Sequence, residues 1–231
     1  MSFFLKLMGL FAIPMALILF QPDNGTVAII LASLVALFLL SRINWRYWVL
    51  PLGIALIFGV GAASQMPHVA NRLHVYLHPE DDLQGKGHQP YQAKIAAGSG
   101  RLFGKGLGES LQKLNYLPEA RSDYIAAIYG EEFGFVGMMV LILLYMVIAY
   151  LGFFAAQGVS DPRAFYLISI ITFLICFQAF LNLGVVSGLL PSKGTNLPFF
   201  SHGGSSLLAN IVALSLLLNA SQKRRHAEKK R

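Results

Sequence analysis

Apolar residues in this chain come in long unbroken blocks, not in the stripes every three or four positions that mark a helix of a water-soluble fold. A block of about 17–25 such residues suits a helix that crosses a hydrocarbon core of roughly 30 Å. Six spans are predicted this way: Phe3–Phe20, Thr26–Leu40, Tyr47–Ser64, Phe133–Ala156, Ala164–Leu183 and Ser205–Ala220. The second is short and takes Gly25 or Ser41 to reach full length, and Pro14 kinks the first, which membrane helices tolerate. Between the third and fourth blocks lies one long polar stretch, Pro67 to Glu132. The expected fold is therefore an all-α polytopic membrane protein of about six spans with one large loop. Residues 1–222 form a single transmembrane domain that includes loop 67–132, and residues 223–231 form a basic tail.

Composition agrees, with 55% of residues hydrophobic and 13% charged, the balance of a chain whose solvent is mostly lipid. Basic residues of short loops are retained on the cytoplasmic side. The tail Lys223, Arg224, Arg225, Lys229, Lys230 and Arg231 thus places the C-terminus inside, and six spans place Lys6 and the N-terminus inside as well. Arg42, Arg46 and Arg163 fall on inner turns, which leaves the long polar loop on the outer face of the membrane. Much of the net charge of +7 sits in the tail, where it reads as a topology anchor and anionic-lipid contact rather than a nucleic-acid site. No small-residue cleavage site follows Phe20, so the first block reads as a retained span and not a signal peptide. The single cysteine, Cys176, lies in an apolar run, so neither a disulfide nor a cysteine metal site is expected.

Candidate chemistry concentrates in the outer loop. Glu80, Asp81 and Asp82 follow Pro79 and precede Gly85 and Gly87; such a turn either holds a divalent cation, supplies a general base, or is simply a solvated acidic turn. His74, His78 and His88 stand nearby without a fixed ligand spacing. Next, a short helical piece from Gln92 runs into glycines interleaved with Arg101 and Lys105. That pattern suits a phosphate cradle but is not a Walker A loop, because Gly106 stands where Ser or Thr is needed. Glu119 and Asp123 act either as helix caps paired with Arg121 or Lys113, or as site residues. Glu131 and Glu132 sit where the fourth span enters the bilayer, a costly place for charge and so a functional candidate. In the last outer loop, the prolines and glycines of residues 182–206 predict a re-entrant, non-helical backbone carrying Lys193 and His202.

Several of these segments, taken in order, resemble the SEDS family (FtsW/RodA/SpoVE). They are Pro79-Glu-Asp-Asp82 with Gly85-Lys-Gly87, Gly104-Lys-Gly-Leu-Gly108, Leu117-Pro-Glu-Ala-Arg-Ser-Asp123, Gly130-Glu-Glu132 and Leu197-Pro-Phe-Phe-Ser-His-Gly-Gly-Ser-Ser206. Gln21-Pro-Asp-Asn-Gly-Thr26 resembles an outer turn of the same family, and Gln112-Lys-Leu114 leans toward the FtsW branch. The likeness covers nearly the whole chain but matches the C-terminal six spans of a family that usually has ten. Leu83 stands where that family often has proline, His88 and His202 where it has tyrosine, and Lys193 where it has threonine.

The resemblance implies a peptidoglycan glycosyltransferase of cell division that polymerises lipid II at the outer face of the membrane. Its implied partners are a class B penicillin-binding protein and other divisome membrane proteins, and not nucleic acid. Asp82 falls on the family's loop aspartate and is the implied general base. Lys113, Glu119, Asp123, Arg101, Lys105, Ser201 and Lys193 are the implied substrate-binding residues, and a divalent cation, magnesium or manganese, is the one cofactor the chemistry leaves room for. Two other readings remain: a lipid II flippase, indifferent to Asp82, and a noncatalytic divisome scaffold.

Overall fold

The helices form where the apolar blocks are, because in lipid a backbone polar group must find its partner within its own segment. The structure is a computed structural model that describes Gly9, Pro14, Met15, Leu17, Ile18, residues 24–50, 52–53, Gly61, 75–78, 87–112, 121–192 and 194–228, the last six through their backbone alone. Five α-helices are described: α1 (Asn24–Leu40), α2 (His88–Ser99), α3 (Ile125–Gln157), α4 (Pro162–Val186) and α5 (Gly204–Glu228). No strand occurs among the described residues. The expected all-α membrane fold is thus present.

Among the described residues three helices are long and apolar enough to cross a membrane: α3, α4 and the Gly204–Gln222 part of α5, with α1 a shorter apolar helix. The expected first and third spans fall largely outside the described residues, so the count of six rests on the sequence. α3 begins at Ile125, well ahead of the expected Phe133, because the alanines before the acidic pair continue the helix upstream. α4 starts where Asp161 accepts a hydrogen bond from the Arg163 N–H, with Pro162 in the first turn, where its missing N–H costs nothing. α5 continues through the basic tail to Glu228.

α3 and α4 are the central pair; α2 lies across α3 and touches α4, while α1 and α5 rest against α4. The pair approaches closely through small residues, with Gly152 of α3 set directly against Thr172 of α4 and leaving no room for a Cβ. One buried cluster gathers Ala93, Ala96, Ala126, Ala127, Ala179 and Val186 where α2 crosses the pair; a second, around Ile168, Ile175 and Leu217, joins α4 to α5 near the opposite end. The outward face of α3 keeps Met139, Leu143, Met146, Tyr150 and Phe154 exposed, as a lipid-facing helix requires.

Candidate functional site at the broken helix

The site lies at the end of the bundle where α3 begins and α4 finishes. At Gly134 the backbone of α3 turns to φ 66°, ψ −163° and the helical ladder is interrupted. Unbroken, the Phe135 and Val136 N–H groups would donate to the carbonyls of Glu131 and Glu132. Instead the glycine loop inserts between them. Phe135 N–H donates to Arg101 O at 2.8 Å and Val136 N–H to Leu102 O at 3.1 Å, while Lys105 N–H donates to Glu131 O at 3.0 Å and Gly106 N–H to Glu132 O at 3.1 Å. Four loop hydrogen bonds thus take up the two amides and two carbonyls of those helical bonds. The exchange needs bare backbone: a Cβ on Gly104 would collide with the Glu132 carbonyl, and one on Gly134 with the Gly104 amide. Both residues also hold the left-handed φ that glycine adopts without strain.

Inside this clasp Glu131 is only 1% exposed. Its Oε1 accepts from Lys105 Nζ at 2.6 Å and from Ser99 Oγ at 3.3 Å, and its Oε2 accepts from Ser110 Oγ at 2.6 Å and the Gln112 N–H at 3.4 Å. A buried carboxylate with donors on both oxygens and an adjacent cation meets the condition under which burying charge is tolerable. The loop expected to cradle phosphate therefore spends the amides of Gly104, Lys105 and Gly106 on protein carbonyls. What it offers a ligand is the exposed Arg101 and the free edge of Lys105, whose side chain is 34% exposed.

A second group of contacts ties loop 187–203 to the turn before α3. The loop's described residues are non-helical, as expected, although residues 182–186 and 204–206 of the expected stretch belong to α4 and α5; it packs against protein, with Leu197 and Pro198 fully buried. Asn182 Nδ2 donates to both Asp123 O at 2.7 Å and Thr195 O at 2.6 Å. Ser201 Oγ donates to Ser122 O at 2.6 Å and accepts from the Leu197 N–H at 2.7 Å; His202 N–H donates to Arg121 O at 2.9 Å, and Tyr145 O–H to Pro198 O at 2.6 Å. Ser201, implied as a substrate contact, thus has its hydroxyl engaged in holding the turn. The Asp123 carboxylate lies against Gly194, 3.1 Å from where a Cβ would stand. Tyr76 O–H reaches Leu189 O at 2.9 Å and joins the segment before the acidic turn to the same end.

Of the eight residues marked from the sequence, Arg101, Lys105, Asp123 and Ser201 are brought to this one end. Asp82, Lys113, Glu119 and Lys193 lie outside the described residues, as do Glu80 and Asp81. The described segments on either side of Asp82, Val75–His78 and α2, both sit here. Among the described residues no group of three metal-ligating side chains occurs. Ser99, Ser110 and Asn182 carry much of the geometry but were not marked, since a serine beside glycine or an asparagine in an apolar run gives no periodic signal. On the apolar side, a groove of about 460 Å³ opens between α3 and α4, lined by Tyr145, Ala149, Cys176, Ala179, Leu183 and Gly184 among others.

Residues 1–226 match the sequence profile of the FtsW/RodA/SpoVE cell cycle protein family. The chain is 39% identical over 219 residues to a probable peptidoglycan glycosyltransferase FtsW of Trichlorobacter lovleyi, covering 94% of this chain and 57% of that one. It is 37% identical over 224 residues to stage V sporulation protein E of Bacillus subtilis, covering 96% and 61%. The chain therefore spans about three-fifths of the length of these curated relatives. Among solved structures, a chain from a study of how a peptidoglycan synthase complex coordinates polymerization and crosslinking superposes with a TM-score of 0.70 at 27% identity, covering 90% of this chain and 58% of that one. A point mutant of the Thermus thermophilus rod shape determining protein RodA superposes at 0.60 and 24% identity, covering 91% and 53%, which shows a shared fold. With its profile matched almost end to end and its helices arranged as in these proteins, this multi-pass membrane chain belongs to the FtsW/RodA/SpoVE family.

Proposed function

We propose that this chain supplies the outer-face catalytic part of a peptidoglycan glycosyltransferase that polymerises lipid II during cell division. The observation that carries the reading is the family match together with relatives named for that activity over nearly all of this chain. The convergence of Arg101, Lys105 and Asp123 on one bundle end supports it. In this reading that end faces out, and both termini face the cytoplasm.

Asp82 is the proposed general base. Its carboxylate removes the proton of the acceptor sugar 4-hydroxyl as that oxygen attacks the anomeric carbon of the growing chain, and the lipid-linked pyrophosphate departs from that carbon. Arg101, Lys113 and the open edge of Lys105 offset the charge that develops on the pyrophosphate. Lipid anchors hold both substrates in the membrane plane, which turns an encounter in solution into a reaction between neighbours. The apolar groove between α3 and α4 is the proposed seat of a membrane helix from the class B penicillin-binding partner, because its small residues let another helix approach closely.

The test is glycan-strand synthesis from lipid II by the reconstituted chain with its partner transpeptidase. Asp82→Asn is expected to abolish polymer while leaving membrane insertion and partner binding as they are. Undiminished polymer from that variant would refute the assignment of the base. Lipid II crossing the bilayer without any polymer in the wild type would favour transport.

A further inference from the structure

The glycine loop turns its backbone toward α3 and leaves Leu102, Phe103 and Leu107 exposed at 61%, 81% and 79%. Large apolar side chains so exposed on a loop usually belong to a segment free to fold them away. This loop is not free, since four hydrogen bonds lock Arg101–Gly106 to the break in α3. The α3 residues whose amides the loop accepts, Phe135 and Val136, are themselves exposed and open the apolar stripe that continues through Met139, Val140 and Leu143. That stripe is the outward surface of a helix long and apolar enough to cross a membrane. The loop's exposed apolar side chains are therefore fastened, through those backbone bonds, beside the start of that apolar surface. Arg101, beside them in the chain, is exposed as well.

We propose that residues 101–107 are an interfacial wedge seated in the phospholipid leaflet at this end of the bundle, with Leu102, Phe103 and Leu107 among the upper acyl chains. Continuity with the α3 surface favours lipid over a protein partner, because a protein there would also have to cover a helix face already suited to acyl chains. Loop and break are one hydrogen-bonded unit, so the wedge sets the height of the Glu131–Lys105 pair relative to the membrane. The inference stands on the geometry and is independent of the reaction assigned above.

The experiment places a single cysteine at Phe103 or Leu107 in the full chain carrying Cys176→Ser, labels it with an environment-sensitive fluorophore, and reconstitutes it in phosphatidylethanolamine and phosphatidylglycerol vesicles. Glu109→Cys, exposed on the same loop beyond the wedge, is the reference. Nitroxide attached high on the phospholipid acyl chain is expected to quench the Phe103 and Leu107 labels several-fold more than the Glu109 label, with the order reversed for aqueous iodide. Iodide quenching as strong at Phe103 and Leu107 as at Glu109 would overturn the proposal. Protection from both quenchers would overturn it too, because the occupant would then be protein. Leu102→Cys replaces either labelled position if that variant fails to fold, judged by helical content and thermal unfolding.

Discussion

Glu131 and Lys105 stand 26 residues apart in sequence and meet at 2.6 Å, so the worth of either depends on the other. Lys105→Met leaves a buried carboxylate with three neutral donors and no cation. It should cost about 2–4 kcal/mol, below the full penalty for breaking a buried pair because the lysine is partly solvated. Adding Glu131→Gln should recover part of that loss, and thermal unfolding of the two single variants and the double in one detergent measures the coupling. Glycines offer a sharper contrast. Gly134→Ala meets both a left-handed φ and the Gly104 backbone, so it should lose about 3 kcal/mol or more. Gly98→Ala, inside α2 with open space around it, should be neutral or gain up to about 1 kcal/mol on the same scale. The sequence marked Lys105 and Glu131 separately, one as a phosphate ligand and one as costly charge at the bilayer edge. That they answer each other was not legible, because no periodicity links residues so far apart. Ser99 and Ser110, which complete the carboxylate's shell, gave no signal at all.

At the scale of elements, α3 to α5 were legible as apolar blocks, and α2 as a helical piece running into glycines. A helix ahead of the acidic pair was signalled by the candidate caps Glu119 and Asp123, but its start at Ile125 was not, because Glu131 and Glu132 looked like the edge of a span. The break was hidden for a related reason. Gly134 sits between phenylalanines in an apolar run, where glycine commonly serves helix packing, and only the inserted loop shows that it interrupts the ladder. The non-helical segment between α4 and α5 was foreseen from its prolines and glycines; its fastening was not. Ser201→Ala removes one hydroxyl that both donates and accepts, and takes away its hydrogen bonds with the Leu197 N–H and the Ser122 carbonyl. A loss of about 1–3 kcal/mol is expected, with faster amide exchange confined to residues 121–124 and 195–203. Exchange that rises evenly over the whole chain would mean that the serine supports the bundle rather than this junction.

For the whole molecule, the arrangement separates two duties. One end of the α3–α4 pair carries the polar residues, held by the glycine clasp and the Asn182 and Ser201 ties, while the apolar groove runs down the same pair from that end. A partner helix seated in the groove would press on the two helices whose ends hold the site, which gives association a physical route to catalysis. Ala149 tests this. It lines the groove without belonging to the buried clusters, so Ala149→Phe fills the groove with little disturbance of the α3–α4 contact. Affinity for the partner should fall by at least about tenfold, about 1.4 kcal/mol. Polymer synthesis with the partner present should fall in parallel, while insertion and unfolding temperature stay near wild type. If co-purification persists unchanged, the partner sits elsewhere and the groove is lined by lipid. If the partner is lost while synthesis is kept, association and catalysis are uncoupled in this chain.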